Sequence, residues 1–184
     1  MQCGSLPQGG LRPGERPGQS PSGCASAGAG ASATASVCTV PASAGAGASS
    51  KTVPFTAKYS GKAVVNAADT IASITANGVG TGKPIGPGKV SGKGKANTEE
   101  RPCVPFTGLG TMTGTGGTKL TFRVVSGTRG CGDEEGQVFS LSGRATVVSA
   151  TGRLAKAKGS LKLTGLYDRG RGTFTVKFTG TLTK

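Results

Sequence analysis

The chain has 184 residues, of which 34 are Gly and 10 are Pro, and only 34% are hydrophobic, with no Trp; a composition this rich in Gly and Pro disfavours long helices and limits any core to a small one. Lys and Arg number 22 against 8 Asp and Glu, a net charge of +14, and there is no His. The missing imidazole excludes a Ser-His-Asp triad, a Cys-His pair, a His-ligated zinc and a histidine switch near neutral pH.

Residues 1–50 are low in complexity, with MQCGSLPQGGLRPGERPGQSPSGC followed by AGAGASATASVCTVPASAGAGASS. Small and polar residues bury too little apolar surface to offset chain entropy, which predicts a disordered arm. A secretion signal is the competing reading. Arg12 and Arg16 precede an uncharged small-residue run, and Ala42-Ser43-Ala44 fits a small-x-small cleavage site, although the run lacks the Leu of a strong signal. A start of the natural chain downstream of Met1 fits as well. The expected location is therefore secreted or cell-envelope, with the cytoplasm as the alternative. Cys3, Cys24 and Cys38 in this arm are irregularly spaced and point to no metal site. No stretch approaches the ~18 consecutive apolar residues of a membrane helix.

From Lys51 to Lys184 the texture is that of one β domain, with apolar and polar residues alternating at period two. In VPFTAKYSGKAVV, Phe55, Ala57, Tyr59, Ala63 and Val65 share a face opposite Thr56, Lys58, Ser60 and Lys62. DTIASITANGVG, GPGKVSGKGKA and VPFTGLGTMTG follow as weaker strands. TKLTFRVV then sets Leu120, Phe122 and Val124 against Lys119, Thr121 and Arg123, and VFSLSGRATVV sets Phe139, Leu141, Ala145 and Val147 against Ser140, Ser142, Arg144 and Thr146. In SATGRLAKAKGS, Thr151-Gly152 reads as a tight reversal into a strand beginning at Leu154. On that reading Leu154, Lys156 and Lys158 face one way, and Ala155, Ala157, Leu161 and Leu163 the other. After a turn at Asp168–Gly172, GTFTVKFTGTLT places Phe174, Val176, Phe178 and Leu182 on one face.

Eight short strands result. Gly61, Gly92, Gly108, Gly143, Gly159 and Gly180 lie inside them, a pattern that suits a strongly coiled sheet better than a flat one. The expected fold is all-β, an eight-stranded antiparallel up-and-down β-barrel of calycin-like form, with a β-sandwich as the alternative.

GRATVVSATGRLAKAKGSLKLTGLYDRGRGTFTVKFTGTL resembles the C-terminal hairpins of barrels related to allene oxide cyclase and plant dirigent proteins, in which a Gly-Thr/Ser-Gly turn precedes a bulky residue and Ala-x-Gly. Thr151-Gly152, Leu154, Ala157 and Gly159 match, whereas Ala150 stands where the first Gly would be. The stretch is also similar to small exported bacterial proteins without assigned function. The resemblance covers about forty residues and implies an eight-stranded barrel with an apolar interior. The hairpin residues do not locate the catalytic residues of allene oxide cyclase or the stereoselective pocket of dirigent proteins on this chain, so neither activity carries over.

Cys103 opens one strand, and Cys131 follows the end of the antiparallel strand beside it, which makes a disulfide geometrically plausible; two free thiols are the alternative. The bond would close a loop worth about 3 kcal/mol and require an oxidising compartment. Gly78–Pro84 invites a phosphate-loop reading but has Asn77 and Pro84 where that motif needs Gly and Ser or Thr, so a turn is expected. Glu99-Glu100 and Asp133-Glu134-Glu135 read as solvated loop charge rather than a calcium loop. Asp69, Tyr59 and Tyr167 read as turn and rim residues. No cofactor or metal motif is present, and the catalytic residues, if any, are not identifiable.

Without Arg12, Arg16 and Glu15 the domain keeps 20 basic and 7 acidic residues, a net +13. Lys58, Lys62, Lys93, Lys95, Arg123, Arg144, Lys162 and Lys177 alternate with apolar positions and should point outward. Such a field attracts anionic polymers or surfaces. Nucleic-acid binding is the weaker partner class, since the few aromatics fall on apolar faces and offer no stacking platform. The expected function is a non-enzymatic binding module for a small apolar ligand inside the barrel or an anionic polymer outside. An allene oxide cyclase-like or dirigent-like enzyme is the alternative, and nucleic-acid binding a further one. An apolar cavity with two or more converging polar groups would favour the enzyme, and a filled interior would exclude it.

Overall fold

A computed structural model describes residues 50–184. The arm, the Ala42-Ser43-Ala44 site and Cys3, Cys24 and Cys38 lie outside the described residues.

Alternating side chains need two environments, and in this chain a sheet closed on itself provides them. The strands are β1 (Thr52–Ala68), β2 (Ile71–Lys83), β3 (Gly86–Asn97), β4 (Cys103–Thr113), β5 (Lys119–Val124), β6 (Arg129–Gly132), β7 (Val138–Ala150), β8 (Lys158–Asp168) and β9 (Thr173–Thr183). All pairings are antiparallel between neighbours, and β1 pairs with β9. β5 and β6 both lie between β4 and β7, and so share one stave. The result is a closed eight-stranded antiparallel barrel, and closure sets aside the sandwich.

The broken stave is a feature that period-two alternation did not anticipate. Between β5 and β6 the chain leaves the ladder at residues 125–128, and the buried Thr128 fills the gap. Its hydroxyl accepts from the Arg144 N–H and donates to the Arg144 carbonyl, which also accepts from the Val125 N–H. Gly143 makes room, since a Cβ there would lie 2.2 Å from the Thr128 Oγ1.

Inward faces follow the alternation. Phe55, Ala57, Tyr59, Leu120, Phe122, Ala145, Val147, Phe174, Val176, Phe178 and Leu182 are buried in one core. Val65, expected on the same face, is 39% exposed because it sits near one mouth of the barrel. Gly78–Lys83 belongs to β2 rather than to a turn, and the reversal falls at Pro84-Ile85.

The expected strand from Leu154 is corrected. Residues 152–154 form a single 3-10 turn, and β8 begins at Lys158. Gly152 and Lys156 adopt positive φ of 62° and 65°, which breaks the extended run. Leu154 and Ala157, on opposite faces of the imagined strand, both turn inward and are buried, while Ala155 and Lys156 are exposed. This connection plugs one end of the barrel. Phe55, Ile85, Met112, Leu120, Leu161 and Leu182, each at most 1% exposed, pack that end solid.

Candidate functional site

The opposite end is not filled. A cavity of about 170 Å³ lies there, with Ala63, Ile74, Ala76, Val90, Leu163 and Val176 among its walls. Phe122 and Phe178, with ring centroids 5.0 Å apart and tilted by 59°, also line it. Leu141, Phe106 and Tyr167 are only partly buried and stand toward the mouth.

Part of the cavity wall carries no inward side chain, in the middle of β3 and β4 between the Val90–Met112 and Ala96–Phe106 pairs. Gly92 pairs with Gly110 and Gly94 with Gly108 across β3 and β4, and all four border the space. Of the four, only Gly92 leaves open volume, since a Cβ at Gly94 or Gly108 would come within 2.5 Å of the Thr107 or Lys93 carbonyl across the pair. At Gly92 an added Cβ would meet nothing nearer than the Leu109 carbonyl at 3.4 Å, whereas at Gly110 it would strike the Phe122 ring at 2.4 Å. Gly92 and Gly108 were singled out in the sequence, but Gly94 and Gly110 were not. Only the register between the two strands shows that the four form one surface.

Polar chemistry at the cavity is sparse. Tyr167 is the one inward-facing polar side chain in its lining; Ser91, Lys93 and Thr107 complete the boundary from outward, exposed positions. The Tyr167 ring packs near Phe139 at 6.3 Å between centroids. Burial raises its phenol pKa above 10.0, with Arg169 lowering and Asp168 raising it as smaller influences. Tyr59, read from the sequence as a rim or turn residue, is instead fully buried on β1 and does not line the cavity. Its hydroxyl has no hydrogen-bond partner among the described residues, and desolvation raises its pKa.

Cys103 and Cys131 stand opposite each other in the β4–β6 register with their sulfurs at bonding distance, near the open end. The acidic loops serve the backbone. Asp133 accepts from the N–H groups of Gln137 and Val138, and Asp168 from that of Arg171. Asp69 has a φ of 53° in the β1–β2 turn. No cluster of three metal-ligating side chains occurs among the described residues, and no helix among them is long and apolar enough to cross a membrane.

Lys58, Lys62, Lys93, Lys95, Arg123, Arg144, Lys162 and Lys177 are all exposed on the outer wall. They do not converge on the cavity, save that Lys93 borders it from outside. No family model matches the chain, and no curated protein or solved structure matches it significantly.

Proposed function

We propose that this barrel is a non-enzymatic binding module whose open end takes a small apolar ligand. The observation that carries this reading is the contrast between a solidly packed end and a cavity of about 170 Å³ walled by apolar side chains and glycine backbone. An apolar cavity of roughly 150 Å³ in another protein stays dry and binds benzene or xenon, so a ligand of about that size is indicated. Dry apolar surface offers burial energy of roughly 25 cal/mol per Å² and little else, which suits capture rather than chemistry. A cyclase-like reaction would need a second polar group converging with Tyr167, and the inward lining supplies none.

The cysteine pair supports an exported location, because disulfides persist in oxidising compartments. Alkylation of the unfolded, unreduced protein that labelled both Cys103 and Cys131 would remove that support.

The ligand reading is tested by thermal unfolding in the presence of toluene as probe. Saturable binding to the folded state raises the midpoint as ligand concentration passes the dissociation constant. The Ala76→Leu variant, which projects extra carbon into the cavity, is expected to unfold near the wild-type midpoint and to lose the toluene response. A toluene effect equal in both proteins would refute an interior site.

A further inference from the structure

Charge on this barrel is segregated by position. All seven acidic residues of the described chain, Asp69, Glu99, Glu100, Asp133, Glu134, Glu135 and Asp168, lie in the connections at the open end or at their edge. The two ion pairs found among the described residues, Arg129–Glu100 at 4.0 Å and Arg171–Asp168 at 3.7 Å, are also there. The strand walls carry cations without any acid.

The cross-strand register sharpens this. Lys58 lies directly opposite Lys177 in the β1–β9 pair, and Arg144 directly opposite Lys162 in the β7–β8 pair. Thr164 faces Lys177 and Thr179 faces Lys162, so the two like-charged pairs are diagonal neighbours on adjoining strands. Arg123 extends the stripe onto β5, opposite Thr146. Side chains directly opposite one another stand about 5 Å apart at Cβ, and like charges there destabilise a sheet. Two such pairs without a neutralising carboxylate cost the fold stability unless an anion from outside completes them.

The same place is concave. Where the stave breaks between β5 and β6, a groove on the outer wall is lined by Ser126, Ser142, Arg144, Ser160, Lys162 and Thr179. Two cations framed by four hydroxyls offer charge to an anion and hydrogen-bonding groups to sugar oxygens. All six Phe and both Tyr occupy inward positions, so the stripe has no ring on which a nucleic-acid base could stack.

We propose that the outer wall across β1, β9, β8, β7 and β5 is a docking track for an acidic polysaccharide, with one anionic group seated between Arg144 and Lys162. The polymer would lie along the wall and leave the cavity mouth, with its acidic rim, clear of it.

The test is titration with a defined heparin oligosaccharide at low salt, comparing two double variants of equal charge. Arg144→Gln with Lys162→Gln is expected to weaken binding at least tenfold and to raise the unfolding midpoint by relieving repulsion. Lys83→Gln with Lys119→Gln, at the closed end, is expected to change affinity by less than threefold. Lys58→Gln with Lys177→Gln provides a second variant on the track, with the first pair's directions in both readouts. Equal losses from wall and closed-end variants would reduce the effect to net charge and overturn the track. A lowered midpoint in the wall variants would make the cations structural and overturn it too. Tighter binding of duplex DNA or of anionic vesicles than of heparin, at matched charge, would overturn the polysaccharide assignment.

Discussion

The two ends of this barrel are built from the same strands and differ in what those strands turn inward. Near the closed end β1, β5, β8 and β9 present Phe55, Leu120, Leu161 and Leu182, and the 151–157 connection adds Leu154, all at most 1% exposed. Near the open end β3 and β4 present Gly92, Gly94, Gly108 and Gly110, and the interior is empty over about 170 Å³. One end is a core and the other a container. The lesson is that an inward glycine does not by itself hollow a barrel: the Tyr59 ring closes the space beside Gly80 and the Phe122 ring that beside Gly110, whereas at Gly92 nothing lies nearer than 3.4 Å.

That difference can be broken by mutation, and the largest effects belong to the closed end. Leu161→Ala should cost about 3 to 4 kcal/mol, since the removed carbon leaves a void among packed neighbours. Leu141→Ala beside the existing cavity should cost clearly less, and equal losses in chemical unfolding would show the two ends to be packed alike.

Next in size is the tie at the open end. Reducing Cys103–Cys131, separated by 28 residues, should lower stability by about 3 kcal/mol through the freed entropy of the unfolded chain. Denaturant titration with and without reductant measures it, and an unchanged midpoint would mean the thiols are free.

A closer comparison lies within β3 alone. An Ala Cβ at Gly88 would come within 1.8 Å of the Thr113 carbonyl, whereas at Gly92 the nearest atom is 3.4 Å away. Gly88→Ala should therefore cost about 1 to 3 kcal/mol by overpacking, and Gly92→Ala should be neutral or stabilising by up to about 1 kcal/mol. Thermal unfolding of the pair decides whether space in this strand is distributed as described.

The smallest expected effect concerns Tyr59, whose hydroxyl is buried without a partner. Tyr59→Phe should be neutral or stabilising by about 1 kcal/mol at neutral pH, because the native hydroxyl gains no bond for its lost water. Its folded pKa lies above the unfolded value of 10.0, so the folded state holds the proton longer. The associated stability is complete below pH 10 and lost as pH rises through the folded pKa. Part of the alkaline destabilisation should disappear in the Phe variant.

Strong alternation made much of this architecture readable from the chain. Phe174, Val176 and Phe178 announce an inward face unaided, because each adjacent Thr or Lys marks the outward one. Two kinds of information were out of reach. Leu154 imitates a strand residue, since LAKAK alternates as a strand does, and only the positive φ at Gly152 and Lys156 turns it into a plug. Pairing between strands is the other. The Gly92–Gly110 wall and the Arg144–Lys162 pair join residues eighteen apart in each case, and hydropathy within one strand carries no trace of a partner. Both the cavity and the charged track are therefore properties of register.

The most direct test of the container is methyl-resolved NMR of the protein titrated with toluene. Saturable shifts confined to Ala63, Ala76, Val90, Leu163 and Val176, with Leu120, Leu154 and Leu182 unmoved, are the predicted result. Shifts absent from the first group, or spread evenly over both, would contradict an apolar ligand site at the open end.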